Sequence, residues 1–362
     1  MIGFLTLLIS LVHFSGIEMD QPIRLGIAGL SHDHVNWVFN EAHQKDITIV
    51  GIAEEDTVLI RKYLDRYGFA EDLVYHDLDE MLDAVNPQAV AAFGSIHSHL
   101  DVVRSCAPRG IHVMVEKPLA VGLDHAREIE QLAQTHGIHV LTNYETTWYP
   151  SNHHVYQVVK EQRELGHMRK IVIHDGHQGP VEIGCSEEFL SWLTDPELNG
   201  GGAVVDFGCY GANLATWLMN NEKPTAVWGI LQQQKPDIYP LVDDEATIIL
   251  EYPGSQVIIQ ASWNWPFSRK DLKVYGEKGS IMAVNANHVE KRIAGQRSPR
   301  NIKLPPHPSI HQNPFSYLAA VVRGNIEVKP TDLSSLENNM IVVEILDAAR
   351  YSAQTGRKVV IK

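Results

Sequence analysis

Between residues 24 and 142 the chain alternates short apolar runs with helix-patterned stretches, and this alternation restricts the fold more than any single motif. The runs are residues 24–30, 47–53, 73–75, 89–93, 112–115 and 139–142. Most are apolar without a polar side, so both faces are expected to be buried, as in a parallel sheet with helical, right-handed crossovers. At 362 residues the chain exceeds one ordinary core. The pattern changes after Pro150, which divides it into 21–145 and 146–362.

The first run leads through Gly29-Leu30-Ser31-His32-Asp33-His34 into a helical stretch. Strand, turn and helix in that order are the context of a Rossmann dinucleotide fingerprint, here with serine and histidine in the second and third glycine places. Ser31 is small enough to let a pyrophosphate reach the helix N-terminus, and His32 and His34 read as phosphate-loop contacts. Glu54 ends the second run where a ribose 2′-hydroxyl is read. A 2′-phosphate would meet this carboxylate, and the nearest bases, Arg61 and Lys62, lie in the next helix, so NAD is expected over NADP. The loop after the fourth run contributes Ser95, His97 and His99 as donors to cofactor or substrate.

The fifth run stops at Glu116-Lys117-Pro118, whose charged pair should project into the crevice beyond the strand ends. Burial there is expected to lower the Lys117 pKa and make the amine a usable acid or base. A surface lysine at a strand end is the plainer alternative.

In the second half, residues 155–164 read as a helix. Runs 170–174, 226–232, 245–250, 256–261 and 271–275 read as strands of a large mixed or antiparallel sheet, making this an α+β domain. Between them Gly200-Gly201-Gly202 opens a largely apolar, helix-compatible stretch to residue 218. Asp206, Tyr210 and Asn213 fall at i, i+4 and i+7, one stripe of a single helix. A buried polar stripe is costly unless it faces water or a ligand; hydrogen bonding within an interface is the alternative. No Gly/Ser linker separates the halves, so they are expected to pack together.

A net charge of −14 argues against nucleic-acid or anionic-membrane partners. The three cysteines are widely spaced, with neither a disulfide framework nor a zinc spacing. Residues 1–20 read as a signal-like or non-native extension. Their apolar run is too short to span a bilayer, no Lys or Arg precedes Arg24, and Met19 is an alternative start. A cytoplasmic enzyme is expected, with export the alternative. His32-x-His34, His97-x-His99 and His174-x-x-His177 match no recognised ligand spacing, and no metal is expected. Trp148, Tyr149, Trp192, Trp263 and Trp265 are candidates for stacking on a sugar face or for core packing.

Together, Glu116-Lys117-Pro118, His99 upstream of it, and the stretch from Gly200 to Asn213 resemble the glucose–fructose oxidoreductase/inositol dehydrogenase/rhizopine-catabolism (Gfo/Idh/MocA) family. The resemblance covers roughly residues 23–360. It implies an NAD(P)-dependent dehydrogenase moving hydride between the cofactor and a hydroxyl-bearing carbon of a sugar or polyol. Lys117, Tyr210 and Asp206 are then catalytic: Lys117 beside the nicotinamide, Asp206 its acidic partner, Tyr210 the proton-transferring group. Gly29, Ser31, His32, His34, Glu54, Ser95, His97, His99, Glu116 and Lys117 would bind the cofactor. Asn143, Trp148, His177, Asp206 and Asn213 would bind substrate. A homodimer or homotetramer is implied as well. Ile96 stands where the family usually has asparagine and Thr147 near its usual arginine, which leaves the substrate open. A glycosidase acting by transient oxidation and a non-catalytic sugar or redox sensor are the rival readings on this fold.

Overall fold

Strands β1 (Ile23–Ala28), β2 (Ile47–Ala53), β3 (Val74–Tyr75), β4 (Ala89–Ala92), β5 (His112–Glu116) and β6 (Val140–Asn143) form one parallel sheet. Its order, β3-β2-β1-β4-β5-β6, reverses between β1 and β4. That reversal opens a crevice beyond the strand ends, the usual dinucleotide position in such sheets. The computed structural model describes residues 21–39, 45–307 and 311–361; the expected extension over 1–20 lies outside them.

Local chemistry sets the crossover helices. Thr57–Tyr67 starts where the Asp56 carboxylate accepts from the Val58 and Leu59 amides, and it stops at left-handed Gly68. Leu78–Val85 is capped by Asp77 in the same way. Met81, Leu100, Val103 and Ile129 cover one face of the sheet. Leu59 and Tyr63 cover the other, together with Phe315 and Leu318 of the helix Pro314–Val322, so a late segment of the chain returns to complete the first sheet.

The second sheet has nine strands: β7 (Met168–Gly176), β8 (Ala226–Gln232), β9 (Glu245–Tyr252), β10 (Ser255–Ser262), β11 (Arg269–Gly276), β12 (Gly279–Asn285), β13 (His288–Ile293), β14 (Arg300–Lys303) and β15 (Val359–Val360). Their order is β14-β13-β12-β11-β7-β10-β9-β8-β15. Among the described residues only β7 and β10 pair in parallel, so the sheet is mixed. Alternation of buried and half-exposed residues along β9 and through Gln260 of β10 turns one face toward the helices Gly208–Leu218 and Leu336–Thr355.

Three expectations change. The helix expected over 155–164 runs from Pro150 to Tyr156 and continues as a π-turn, Gln157–Glu161. The stretch 200–218 is two helices, Ala203–Asp206 and Gly208–Leu218, broken at Phe207. The break takes Asp206 off the stripe that would have aligned it with Tyr210 and Asn213. Strands β12 to β14 were not anticipated, because Lys, Arg and Asn interrupt their apolar alternation. Among the described residues no helix is long and apolar enough to cross a membrane.

Candidate active site

β5 delivers Glu116 and Lys117 to the crevice, followed by a cis Lys117–Pro118 peptide. The Lys117 ammonium is buried in an ion pair with Asp206 Oδ1 and also donates to the Asp206 main-chain oxygen at 3.1 Å. Trp263 Nε1 donates to Asp206 Oδ2 at 2.9 Å, so both carboxylate oxygens are held. The glycine run brings Asp206 here. Asp243 accepts from the Gly202 and Val204 amides at 2.9 and 2.7 Å, and a Cβ at Gly202 would lie only 1.8 Å from the Asp243 carbonyl oxygen.

Burial works against a charged Lys117, but the adjoining Asp206 carboxylate outweighs it and lifts the amine above its ordinary value. Burial likewise pushes Asp206 up, and the Lys117 ammonium holds it below the usual carboxylate range. This corrects the expectation of a neutral-prone lysine. A buried amine loses its proton only when no carboxylate shares its site. Lys117 is therefore a fixed positive charge and a hydrogen-bond donor.

Tyr210 lies between two cations: Lys117 Nζ is 5.4 Å from the ring centroid and Lys270 Nζ 4.4 Å. Burial, then Glu145 and Cys209, raise the phenol well above its ordinary value, so it keeps its proton at neutral pH. Lys270 pairs with Glu145, which also accepts from the Tyr149 hydroxyl. Sequence reasoning passed over Lys270, Glu145 and Tyr149 as a polar cluster, although a signal existed. Lys270 is in phase with Leu272 and Val274, the inward positions of β11.

These groups and His177 line a cavity of about 540 Å³, whose other walls include Pro180, Ile183, Phe189, Leu193 and Phe207. A groove of about 610 Å³ runs beside it. Gly29, Ser31, Glu54 and Ser95 line this groove with Glu55, Asp56, Asp77, Glu188 and Trp192, and among the described residues no Lys or Arg lines it. Gly29 has φ 84°, and a Cβ there would lie 2.9 Å from the Gly94 amide nitrogen, so only glycine keeps the groove floor open. Glu54 accepts from the Leu30 and Asp56 amides at 2.8 and 3.0 Å.

His32 and His34 line the cavity rather than the groove. His32 packs on Phe189 and Trp192 with ring centroids at 4.6 and 5.4 Å. Burial, reinforced by His34 and Lys117, holds it well below the ordinary histidine value, so it is neutral. His34 stacks on Trp37 and bonds Glu116 at 2.9 Å; Glu116 also accepts from Asn143, which accepts from Trp148 Nε1. The helix after the turn is only Val35–Val38, too short for the expected macrodipole effect to be large.

Several expected site residues line neither opening. His99 is buried with Nδ1 3.2 Å from the Leu119 carbonyl, bracing the turn after Lys117; burial lowers its pKa to about 4. His97 is exposed against His125. Glu116 and Asn143 form the buried brace just described. Trp148 walls a separate cavity with Tyr156, Trp217 and Tyr317. Asn213 donates to the Leu333 carbonyl and to Asn338, both at 2.8 Å, so its stripe position serves an interface. Trp263 holds Asp206, and Trp265 packs near His174 and Arg269. His174 bonds Asp271 instead of joining His177. Although no single segment has a metal-ligand spacing, the fold brings donor atoms of His32, His34 and Glu116 within 4.8 Å of one another. His34 is bonded to Glu116, and the His34 amide donates to His32 Nδ1, so these donors are largely engaged with one another.

Two family models match the chain: "Oxidoreductase family, NAD-binding Rossmann fold" over residues 23–144 and "GFO/IDH/MocA C-terminal domain" over residues 154–282. Trans-1,2-dihydrobenzene-1,2-diol dehydrogenase of Xenopus laevis is 26% identical over 324 residues, covering 84% of this chain and 89% of that protein. Two solved structures share the fold at 20% identity. An inositol dehydrogenase homolog from Azotobacter vinelandii complexed with NAD+ has a TM-score of 0.81 over 95% of this chain and 98% of that one. Aldose-aldose oxidoreductase from Caulobacter crescentus complexed with glycerol has 0.79 over 94% and 100%.

Proposed function

The chain belongs to the GFO/IDH/MocA family of NAD-binding oxidoreductases, and on that premise we propose that it interconverts a secondary alcohol and a ketone on a vicinal diol, polyol or sugar. The observation that carries this reading is the Lys117–Asp206 ion pair beside Tyr210, in a cavity adjoining the groove of Gly29 and Glu54. The groove residues fit NAD: Gly29 keeps its floor open, and the acid-lined wall suits a free ribose hydroxyl better than a phosphate.

Bound NAD would supply the hydride acceptor or donor for the carbinol carbon. The chain's own residues have separate tasks. Lys117, fixed as a cation by Asp206, polarises the reacting oxygen. Tyr210 holds the exchangeable proton on its hydroxyl and gives it to the forming alkoxide in the reductive direction. Asp206 and His177 present polar groups to a neighbouring substrate hydroxyl. Ile183, Phe189 and Leu193 add apolar wall to the same cavity, which suits a substrate with both hydroxyl-bearing and apolar surface. The dehydrogenase relatives do not favour the glycosidase or the sensor.

The test is an NADH-absorbance screen with cyclic trans-diols, inositols, aldoses and glycerol, using NAD+ and NADP+ separately. Turnover on any of these that Tyr210→Phe abolishes supports the reading; no turnover on the whole panel, with NAD+ bound, overturns it.

Assembly as a homodimer or homotetramer is part of the same proposal. The outward face of the second sheet carries Trp228 and Ile230 at 39% and 57% exposure, beside the half-exposed Ile249 and Ile258. Such an apolar face suits a second copy, and a sedimentation profile unchanged by Ile230→Glu would count against it. The cysteines are free thiols, Cys106 and Cys209 buried, which supports a cytoplasmic setting.

A further inference from the structure

The turn Glu145–Trp148 separates two openings. Glu145 and the following Tyr149 line the catalytic cavity, whereas Thr147 and Trp148 line a second cavity of about 520 Å³. No described residue lines both. The oxidoreductase reading makes no use of this second space.

Four rings from four elements wall it: Trp148 from that turn, Tyr156 from the helix Pro150–Tyr156, Trp217 from Gly208–Leu218 and Tyr317 from Pro314–Val322. Tyr156 and Trp217 stack with centroids 4.4 Å apart, and Trp148 and Tyr317 meet at 5.5 Å with their planes tilted by 56°. An aromatic face carries negative potential and attracts a cation within about 6 Å of the ring centroid. Among the described residues no Lys or Arg takes that place on these four rings. Each cation that stands over a ring stands over a different one.

The charge around the rings has the same sign. Glu161, Glu327 and Asp332 line the cavity, against Lys329 as its one described base. Glu161 and Glu327 are exposed, and no described Lys, Arg or His forms an ion pair with either. The histidines add no opposing charge: burial lowers His153 to about 4 and also lowers His311, so both are neutral at pH 7. An apolar ligand would gain nothing from the carboxylates, an anion would be repelled by them, and a polyol would leave the ring potential unused.

We propose that this cavity is a second ligand site, for a small organic cation whose ammonium head lies among the four rings and is answered by Glu161 and Glu327. The inference goes beyond the NAD reading and does not depend on it, since its occupant is neither substrate nor cofactor.

Nuclear magnetic resonance titration of the full chain, carrying indole-¹⁵N tryptophan, tests this with choline, its uncharged carbon isostere neohexyl alcohol, and myo-inositol. Choline should shift the Trp148 and Trp217 signals along one saturating curve. Without the positive charge, neohexyl alcohol should bind roughly 3- to 30-fold more weakly. The double variant Glu161→Gln with Glu327→Gln changes only exposed side chains. It should keep wild-type stability and bind choline roughly 2- to 10-fold more weakly. Saturating NADH should leave the choline shifts in place. Equal binding of choline and its isostere, stronger binding of myo-inositol, no saturable shift, an unchanged double variant or displacement by NADH would each overturn the inference. The comparison of choline with its isostere needs no variant, so a poorly folding mutant leaves the test intact.

Discussion

The Lys117 ammonium and the Asp206 carboxylate, 89 positions apart in the chain, form a buried ion pair that joins the first sheet to the helices of the second. Removing one partner leaves the other charged and dry, which costs about 3–5 kcal/mol. Lys117→Met should therefore lower both stability and turnover, the latter by about 10²–10⁴-fold, the range for a positioned catalytic group. Combining it with Asp206→Asn should recover most of the stability, read from urea melts, and none of the turnover. Recovery of both would make the pair a structural clasp only.

Tyr210→Phe removes the proton donor while keeping the ring between Lys117 and Lys270. NADH binding should hold within about twofold while ketone reduction falls about 10²–10⁴-fold. Because burial raises the phenol well above its ordinary value, the wild-type rate profile should show no limb from this group below about pH 10. A limb near neutrality that Tyr210→Phe removes would contradict the assignment.

Glu54, Glu55, Asp56, Asp77 and Glu188 all line the groove. A 2′-phosphate there would face like charge, at a cost of several kcal/mol, so NADPH should bind at least about 10²-fold more weakly than NADH. Glu54→Ser should narrow that gap, and parity of the two cofactors in the wild type would sink the argument.

Asn213→Ala tests the corrected role of that residue. It leaves the buried Asn338 side-chain oxygen without its donor, at about 1–3 kcal/mol, while the Leu333 carbonyl keeps the Asn339 side-chain amide. The denaturation midpoint should drop with KM and kcat nearly unchanged. A large rise in KM at constant stability would return Asn213 to the substrate site.

Burial lowers His99 and His153 from 6.5 to about 4. The fold favours their neutral forms, so their stabilising effect is complete above pH 6.5 and is lost as the pH falls through about 4. The loss is on the order of 3 kcal/mol for each. Urea melts from pH 7 to 4 should show a decline that His99→Gln with His153→Gln reduces; an unaltered decline would rule these two out as its source.

Much of the fold was legible because parallel strands buried on both faces leave continuous apolar runs, and the turn and cap residues between them are local. The Lys117–Asp206–Tyr210 cluster followed from motifs whose glycines and prolines have fixed backbone tasks. What failed was longer-range. Spacing cannot show that Phe207 interrupts a helix, or that Asn213 faces Asn338 and the Leu333 carbonyl instead of the cavity. It also cannot show that His99 reaches the Leu119 carbonyl instead of the crevice, or that Asp206 would cancel the effect of burial on Lys117. Lys270 was missed because one lysine on an inward strand face looks like noise until Glu145 is placed beside it.

The helix Pro314–Val322 has a consequence for how the protein is made. Since the helix of Phe315 and Leu318 packs against β2 and shares an apolar cluster with Ile47 and Ile52, the nucleotide-binding half emerges from the ribosome with part of its core still open. That half waits as a sticky intermediate for a patch encoded far downstream. Chaperone demand and sensitivity to premature stop codons should therefore concentrate before Val322, and swapping this half alone between relatives would carry an uncovered face with it.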